Sequence, residues 1–345
     1  MGTANIYRLL HEILSEALET NASDIHFESF QHDGHIRMRI DGLLHQTHTF
    51  DHDTFSQLCS RIKVLSNINI SQPLIPHTSQ LSYSINDTQY IFRVSVIPSL
   101  FNHKIVLRVL KNISAIPDVS FLPHDHMILN TVLQKRNGLI IICGPTGSGK
   151  STTLYHFLRT LETPHLNITT IEDPVEYIYP TVTQIPVHAD HGLSFDESLR
   201  NVLRQDPDVI LVGEIRDSET AHLSLRAALT GHLVLTTVHA QSVPTVVSRL
   251  LDLGCNELIL RQTLLLIFNQ RLVRTLCPTC LALGCADCHQ TGYRGRQMVY
   301  EYFHVADDAM RSAQNFFQLT SSSLKTSIQK MISEGVCDER QLFEI

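Results

Sequence analysis

Apolar positions recur along the chain with two different periods, and the chain changes character where the period changes. Over residues 5–18, Ile6, Leu9, Leu10, Ile13, Ala17 and Leu18 share one face at helical spacing, and "NASD" then stops the run. "IRMRIDGLLH" alternates apolar and polar positions around an Asp-Gly pair, which predicts a hairpin. A second helix is predicted near 53–66, followed by strands at "LSYSI", "YIFRVSVI" and "KIVLRVL". These elements predict a small α+β unit over residues 1–110. "NISAIPDVSFLPHD" carries two prolines and little period, so residues 111–123 read as a linker.

From residue 124 short apolar runs alternate with helical patterns. "LIIIC", "NITTIE", "DVILVG" and "HLVLTTV" are predicted strands, separated by helices that begin at Lys150, near 194–205 and near 217–230. That alternation predicts an α/β domain over 124–345 with a mainly parallel sheet. After residue 242 the pattern predicts mostly helix, interrupted by a cluster of cysteines.

Composition narrows the function. With 345 residues, 43% hydrophobic and 18% charged, the chain is long enough for two domains and has an ordinary globular make-up. A formal charge of -7 without a long Lys/Arg run argues against a surface built for DNA or anionic lipid. The start lacks a signal-peptide pattern and no stretch approaches about 18 apolar residues. The expectation is therefore a cytoplasmic chain that does not span the membrane. The 20 histidines are scattered singly, the pattern of solvated or hydrogen-bonded residues.

"GPTGSGKS", Gly144 to Ser151, fits G-x-x-x-x-G-K-[ST] between a predicted strand and a predicted helix. In such a loop the backbone N–H groups and the helix N-terminus face phosphate anions. Lys150 is expected to contact the β- and γ-phosphates, and Ser151 to ligate Mg²⁺. Gly144, Pro145, Thr146, Gly147, Ser148, Gly149 and Thr152 complete the expected nucleotide cradle. Acidic residues follow two strands: Glu214 after "DVILVG", and Glu172 with Asp173 after "NITTI", with Glu176 close behind. Carboxylates at strand ends can orient Mg²⁺ or an attacking water. The spacing leaves open whether Glu172 or Glu214 polarises that water, and Glu176 reads equally as a solvated loop charge.

Four of the eight cysteines, Cys277, Cys280, Cys285 and Cys288, form two Cys-x-x-C pairs four residues apart. Four thiolates can close a tetrahedral shell around a structural Zn²⁺. His289 is the alternative ligand beside them. Cys59, Cys143, Cys255 and Cys337 read as small buried hydrophobes.

Taken together, these motifs resemble the secretion ATPase family that drives type II secretion, type IV pili and competence pseudopili. "ASDIHFE" (Ala22 to Glu28) and "FRVSVIPS" resemble its N-terminal domain, "GPTGSGKST" its Walker A and "ITTIEDPVEY" its Asp box. "LRQDPDVILVGEIRD" is similar to its Walker B, "ALTGHLVLTTVHA" to its His box, and "QRLVRTLCPTC" with "GYRGR" to its C-terminal signature.

The resemblance implies a RecA-like P-loop NTPase domain preceded by a PAS-like α+β domain and followed by helical segments with a Cys₄ zinc knuckle at 277–288. It implies a homo-hexamer that uses ATP, Mg²⁺ and structural Zn²⁺. Arg93 and Arg108 are implied to reach the phosphates, His232 to sense the γ-phosphate, and His239 to orient an acidic partner. Asp173 is implied at the nucleotide. Two stretches depart from the family pattern, "PHTSQ" at Pro76 to Gln80 and "LFNHK" at Leu100 to Lys104; an arginine is absent near Gln80 and Lys104 stands in for another. The cysteine cluster resembles that of assembly or export members. The beginning of the chain near "ASDIHFE" resembles the compact competence members. The expected partner is an inner-membrane platform protein, with peripheral attachment to the membrane through it and no direct nucleic acid. Alternatives are a type II secretion or pilus retraction ATPase of the same family, and a RecA-like nucleic-acid motor.

Overall fold

The computed structural model describes residues 3–69, 74–112, 116, 119, 121–187, 192–306, 311, 316–317, 321 and 323–343. The chain divides into two units, Met1–Lys111 and Asn112–Ile345. Much of the stretch read as a linker, 111–123, lies outside the described residues.

In the first unit α1 (Thr3–Glu19) leads into β1 (Asp24–Ser29), β2 (Asp33–Ile40) and β3 (Leu43–Asp51), followed by α2 (His52–Leu65), β4 (His77–Ile85), β5 (Thr88–Pro98) and β6 (His103–Asn112). The strands run in the order β3-β2-β1-β6-β5-β4, and each neighbouring pair is antiparallel. Asp41 (φ 48°) and Gly42 (φ 86°) turn the β2–β3 hairpin, the left-handed pair that an Asp-Gly hairpin turn requires. Asp51 caps α2 by accepting from Thr54 N at 2.9 Å.

The period of two sorts this sheet into faces. Ile25, Phe27, Ile36, Met38, Phe92, Val94, Ile105 and Leu107 pack with α1 and α2 residues into one core. Asp24 and Glu28 alternate with Ile25 and Phe27 along β1 and meet cations instead. Arg37 forks onto Glu28 at 2.6 and 2.9 Å and Lys104 reaches it at 2.8 Å. Arg108 Nε donates to Asp24 at 2.8 Å, and Arg93 lies directly across from Arg108 in the β5–β6 register.

The second unit begins with α3 (Pro123–Leu133). Its sheet is built from β7 (Gly138–Cys143), β8 (Ile168–Glu172), β10 (Thr183–Pro186), β11 (Val209–Val212), β12 (Leu233–Val238), β13 (Leu264–Leu276) and β14 (Tyr293–His304), with a two-residue β9 (Tyr177–Ile178) between β8 and β10. The order is β10-β8-β11-β12-β7-β13-β14, parallel throughout except for the last pair. Helices α4 (Lys150–Leu161), α5 (Phe195–Val202), α6 (Ser218–Leu229), α7 (Val243–Asp252) and α8 (Glu257–Thr263) connect the strands, and α9 (Leu324–Ser333) and a 3-10 turn (Glu339–Phe343) follow them. Two apolar clusters lie against this sheet, one containing Leu139, Ile141 and Ile210, the other Ile140, Ile142 and Leu211. Adjacent residues of β7 and β11 thus face opposite ways, as in a strand covered on both faces.

The chain after residue 242 differs from the helical expectation. Beyond α7 and α8 it forms the long antiparallel pair β13–β14, which extends the sheet beside β7. The segment "LLLIFNQRLVRTL" is buried over its first eight residues. A run apolar on both faces carries no period of two, so it looks the same in sequence whether it becomes helix or strand.

Candidate functional site

Strand register gathers the site at one end of the second sheet. Ile171, Val212, Thr236, Ile141 and Ile267 form one row across β8, β11, β12, β7 and β13. Just beyond that row, at the carboxyl ends of the parallel strands, lie Glu172, Glu214, His239, the Gly144–Gly149 loop and Gln270. This is the end at which open α/β sheets hold ligands.

The loop from Gly144 to Gly149 is shaped by its neighbours. Gly144 has φ 146°, and a Cβ there would stand 2.5 Å from the Gln270 carbonyl oxygen and 2.6 Å from Ser148 Oγ. Gly149, at φ 87°, opens α4 in a left-handed conformation. Gln270 Nε2 donates to the Ser148 carbonyl at 2.7 Å and braces the loop from β13. Lys150 Nζ folds back over it, donating to the Gly144 and Pro145 carbonyls at 2.9 and 3.0 Å. Burial lowers the Lys150 pKa, against the opposing pull of Glu176, Cys143 and Glu214. The first-turn N–H groups of α4 have no intrahelical acceptor. Ser151 is half-buried on that turn, and its hydroxyl has no hydrogen bond among the described residues. Unpaired N–H groups, an ammonium and a free hydroxyl on one short loop are a donor set that fits phosphate and a hard cation.

The two carboxylates have different surroundings. Glu172 is 5% exposed. Tyr155 OH lies 2.7 Å from both of its oxygens, Thr170 Oγ1 donates at 2.6 Å, and Gln184 Nε2 bonds the same tyrosine hydroxyl at 2.8 Å. Burial raises the Glu172 pKa, partly offset by the Thr170 and Tyr155 hydroxyls. Glu214 instead pairs with Arg216 and lies 3.4 Å from His239 Nε2. Arg216 also reaches Asp173 at 3.5 Å. Tyr177 OH meets Thr152 Oγ1 at 3.1 Å, joining the loop helix to the segment after Glu172.

Thus Lys150, Ser151, Glu172, Asp173, Glu214 and His239 come from strand ends on the same side of the sheet. His232 does not. It precedes Leu233, which pairs with Gly138 at the start of β7, and its Nδ1 is 3.0 Å from the Ala227 carbonyl oxygen. The six residues of β12 separate it from the loop end by roughly 20 Å. Parallel pairing puts the two ends of a His-flanked strand on opposite sides of the sheet, so His232 does not join the loop of its own subunit. Arg93 and Arg108 belong to the first unit and sit on its charged sheet face, as described above.

Several residues of the site were given no role by the sequence, although Gln270 and Arg271 open the stretch "QRLVRTLCPTC". Asn269, Gln270 and Arg271 are buried within β13. Arg271 donates to the Asn269 side chain at 2.9 Å and to the Gln270 and Gln241 carbonyls at 3.0 and 2.9 Å, while Asn269 bonds Glu301 at 2.8 Å. Three consecutive polar residues inside an apolar strand were the available signal, because buried polar groups need built partners. Tyr155 and Gln184 had none; each becomes meaningful only when folding brings it to Glu172.

Away from this site, Cys277, Cys280, Cys285 and Cys288 bring four Sγ atoms within 4.8 Å of one another. The 277–285, 280–288 and 285–288 pairs lie 3.8, 3.7 and 3.7 Å apart. Zn–S bonds of about 2.3 Å set tetrahedral S···S edges near ~3.8 Å, so the spacing suits that ion. Backbone N–H groups of Gly284, Cys285 and Gly292 point at Cys280 and Cys288 sulfurs at 3.2–3.3 Å, as thiolates require.

With this geometry in hand, residues 1–343 match the family model described as type II/IV secretion system protein. The chain belongs to this family. Type II secretion system protein E of Pseudomonas aeruginosa is 40% identical over 337 residues, which cover 90% of this chain and 67% of that protein. The type IV pilus assembly ATPase PilB of Myxococcus xanthus is 36% identical over 374 residues, covering 96% and 66%. Among solved structures, the Legionella pneumophila ATPase DotB shares the fold at a TM-score of 0.78 and 24% identity, over 96% of this chain and 94% of that one. The pilus retraction motor PilT with bound ADP gives a TM-score of 0.67 at 25% identity, over 97% and 96%. These likenesses carry the RecA-like α/β fold expected from the sequence. No helix among the described residues is long and apolar enough to cross a membrane.

Proposed function

We propose that this chain is an ATPase that binds ATP with Mg²⁺ at Gly144–Thr152, cleaves it, and, as a homo-hexamer on an inner-membrane platform protein, drives assembly of a pilus or pseudopilus. The observation that carries this reading is the convergence of the Lys150 loop with Glu172 and Glu214 at one sheet end, in a chain that matches its family over nearly its whole length.

Roles follow from surroundings. Lys150 exchanges its two loop carbonyls for phosphate oxygens. Glu172, buried and with its pKa raised, is the base that polarises the attacking water, since a base works best with a pKa moved toward the working pH. Tyr155 and Thr170 hold it in place. Glu214, tied to Arg216 and His239, orients the cation and its ligands beside the phosphates. Mg²⁺ held by Ser151 supplies charge neutralisation on the phosphate oxygens. Arg93 and Arg108 are the cations that the first unit offers to phosphate across the ring. Zn²⁺ on Cys277, Cys280, Cys285 and Cys288 is structural, because four thiolates leave no position open.

Hydrolysis by the purified chain, with and without the cytoplasmic part of its platform protein, tests enzyme and partner together. Stimulation by the platform supports the reading; DNA-stimulated turnover that ignores the platform favours a nucleic-acid motor. Relatives include both type II secretion and pilus assembly proteins. Deleting the gene separates the machines: loss of DNA uptake marks the competence pseudopilus, loss of exoprotein export marks type II secretion, and excess filaments mark retraction.

A further inference from the structure

His239 stands beside Glu214 with little of its own to hold it there. Its side chain is exposed, and its approach to Glu214 is long, 3.4 Å. The histidine follows β12 directly, in the short connection that reaches the Ser242 cap of α7, so the path of that connection decides where the ring lies. The connection is held from β13. The Gln241 carbonyl accepts from Asn269 Nδ2 and from Arg271 Nη2, both at 2.9 Å.

Arg271 holds more than this one carbonyl. Its Nη1 donates to Asn269 Oδ1 at 2.9 Å and to the Gln270 carbonyl at 3.0 Å, and that carbonyl is the wall that a Cβ on Gly144 would meet. One guanidinium therefore spans the backbone that bounds the phosphate loop and the backbone that carries His239. The arrangement is costly. Arg271 is 7% exposed, burial lowers its pKa, and among the described residues it makes no ion pair. A buried cation without a counter-charge costs free energy that a neutral or apolar residue of similar size would not, so packing alone does not explain an arginine here. What arginine offers is a rigid planar fork that meets several acceptors in one fixed geometry.

We propose that Arg271 is a positioning residue for hydrolysis: by tying the Gln241 carbonyl to the strand that braces the phosphate loop, it sets His239 against Glu214. The proposal rests on the ATPase reading above and goes beyond it in naming the residue that connects the phosphate loop to the His239–Glu214 pair. Arg271 acts through His239 and touches none of the reacting atoms. Without its fork the connection keeps only the bond from Asn269, whose Oδ1 then loses its own donor. The ring drifts from Glu214 while Lys150, Ser151 and Gln270 keep their places. A misplacement of about 1 Å in a group that serves the reaction can lower a rate by about 100-fold.

The test is steady-state MgATP hydrolysis by the full-length chain in a cycle of four proteins: unaltered, Arg271→Gln, His239→Ala and the double variant. Arg271→Gln is expected to lower kcat by about 10- to 100-fold and to leave KM within about twofold, because the phosphate loop is untouched. Arg271→Lys keeps the charge and loses the fork, and should recover part of the rate. In the His239→Ala background Arg271→Gln should cost less than about twofold, since the group it positions is gone. An unchanged kcat, a rise in KM that accounts for the whole loss, or losses that multiply in the double variant each overturn the proposal. Failure of both Arg271→Gln and Arg271→Lys to fold makes the arginine a structural residue and overturns it too. Full hydrolysis by His239→Ala removes His239 from the reaction and the proposal with it. No hydrolysis by the unaltered chain overturns the ATPase reading itself, whereas hydrolysis with independent losses overturns only the role of Arg271.

Discussion

Replacing Tyr155 by Phe removes one hydroxyl from a site where little else can substitute for it. Tyr155 is 1% exposed and Glu172 5%, so water does not fill in for the lost donor. A hydrogen bond to a charged group contributes about 1.5–3 kcal/mol and one to a neutral group about 0.5–1.5. With Thr170 still donating at 2.6 Å, Tyr155→Phe should cost about 2 kcal/mol while Glu172 is ionised and about 1 kcal/mol once it is protonated. The sign of the pH effect follows from burial, which raises the folded pKa of Glu172 above its unfolded value. The contribution of Glu172 to stability is thus full at acidic pH, below the unfolded value, and is lost as pH rises through the folded one. Removing the hydroxyl raises that pKa further, so the penalty is largest at alkaline pH. For a domain of this size the expected fall in Tm is about 4–8 °C at alkaline pH, where Glu172 is ionised, and about half that at acidic pH below its unfolded value, where it is protonated. Thermal melts at the two pH values read it directly. The acid limb of kcat/KM should also move toward neutral pH if Glu172 is the base. Equal melting losses at both pH values, with an unmoved acid limb, would refute the assignment and leave Glu214 as the base.

Three further outcomes follow from particular contacts. Gly144→Ala places a methyl 2.5 Å from the Gln270 carbonyl oxygen at φ 146°, and should reduce ATP affinity by at least about tenfold in titration calorimetry; unchanged binding contradicts the proposed closeness of loop and strand. The purified chain should carry one zinc by metal analysis, and Cys280→Ser should release it and lower the melting temperature; a zinc-free chain of equal stability contradicts the Cys₄ reading. Burial pushes the Glu28 carboxyl up, but bonds from Arg37 and Lys104 prevail and hold it at about 2. Its contribution is therefore present above the ordinary carboxyl range and lost as pH falls toward 2, so Glu28→Gln should cost about 2–3 kcal/mol at pH 7 in urea denaturation and almost nothing at pH 2.

The sequence made most of the candidate site readable because a glycine-rich loop of this kind is a local object. Its glycines, lysine and serine lie within eight residues, and the strand before it and the helix after it are adjacent in the chain. Glu172, Glu214 and His239 were legible for a related reason: each ends a short strand, and parallel strands bring their ends together. The position of His232 was not legible because a motif says nothing about direction along a strand, and β12 carries its two flanking histidines to opposite ends. The β13–β14 pair escaped because a strand buried on both faces loses its alternation. Tyr155 and Gln184 were invisible for a third reason. Their meaning lies in Glu172, 17 and 12 residues away, and only the fold selects it.

The central claim is that triphosphate bound at the Lys150 loop is cleaved there. Phosphate release from MgATP by the purified full-length chain, beside a Lys150→Ala variant of equal melting temperature, tests it most directly. The account predicts steady release by the unaltered chain and background release by the variant. Equal release from both, or none from the unaltered chain with its platform partner present, would contradict it.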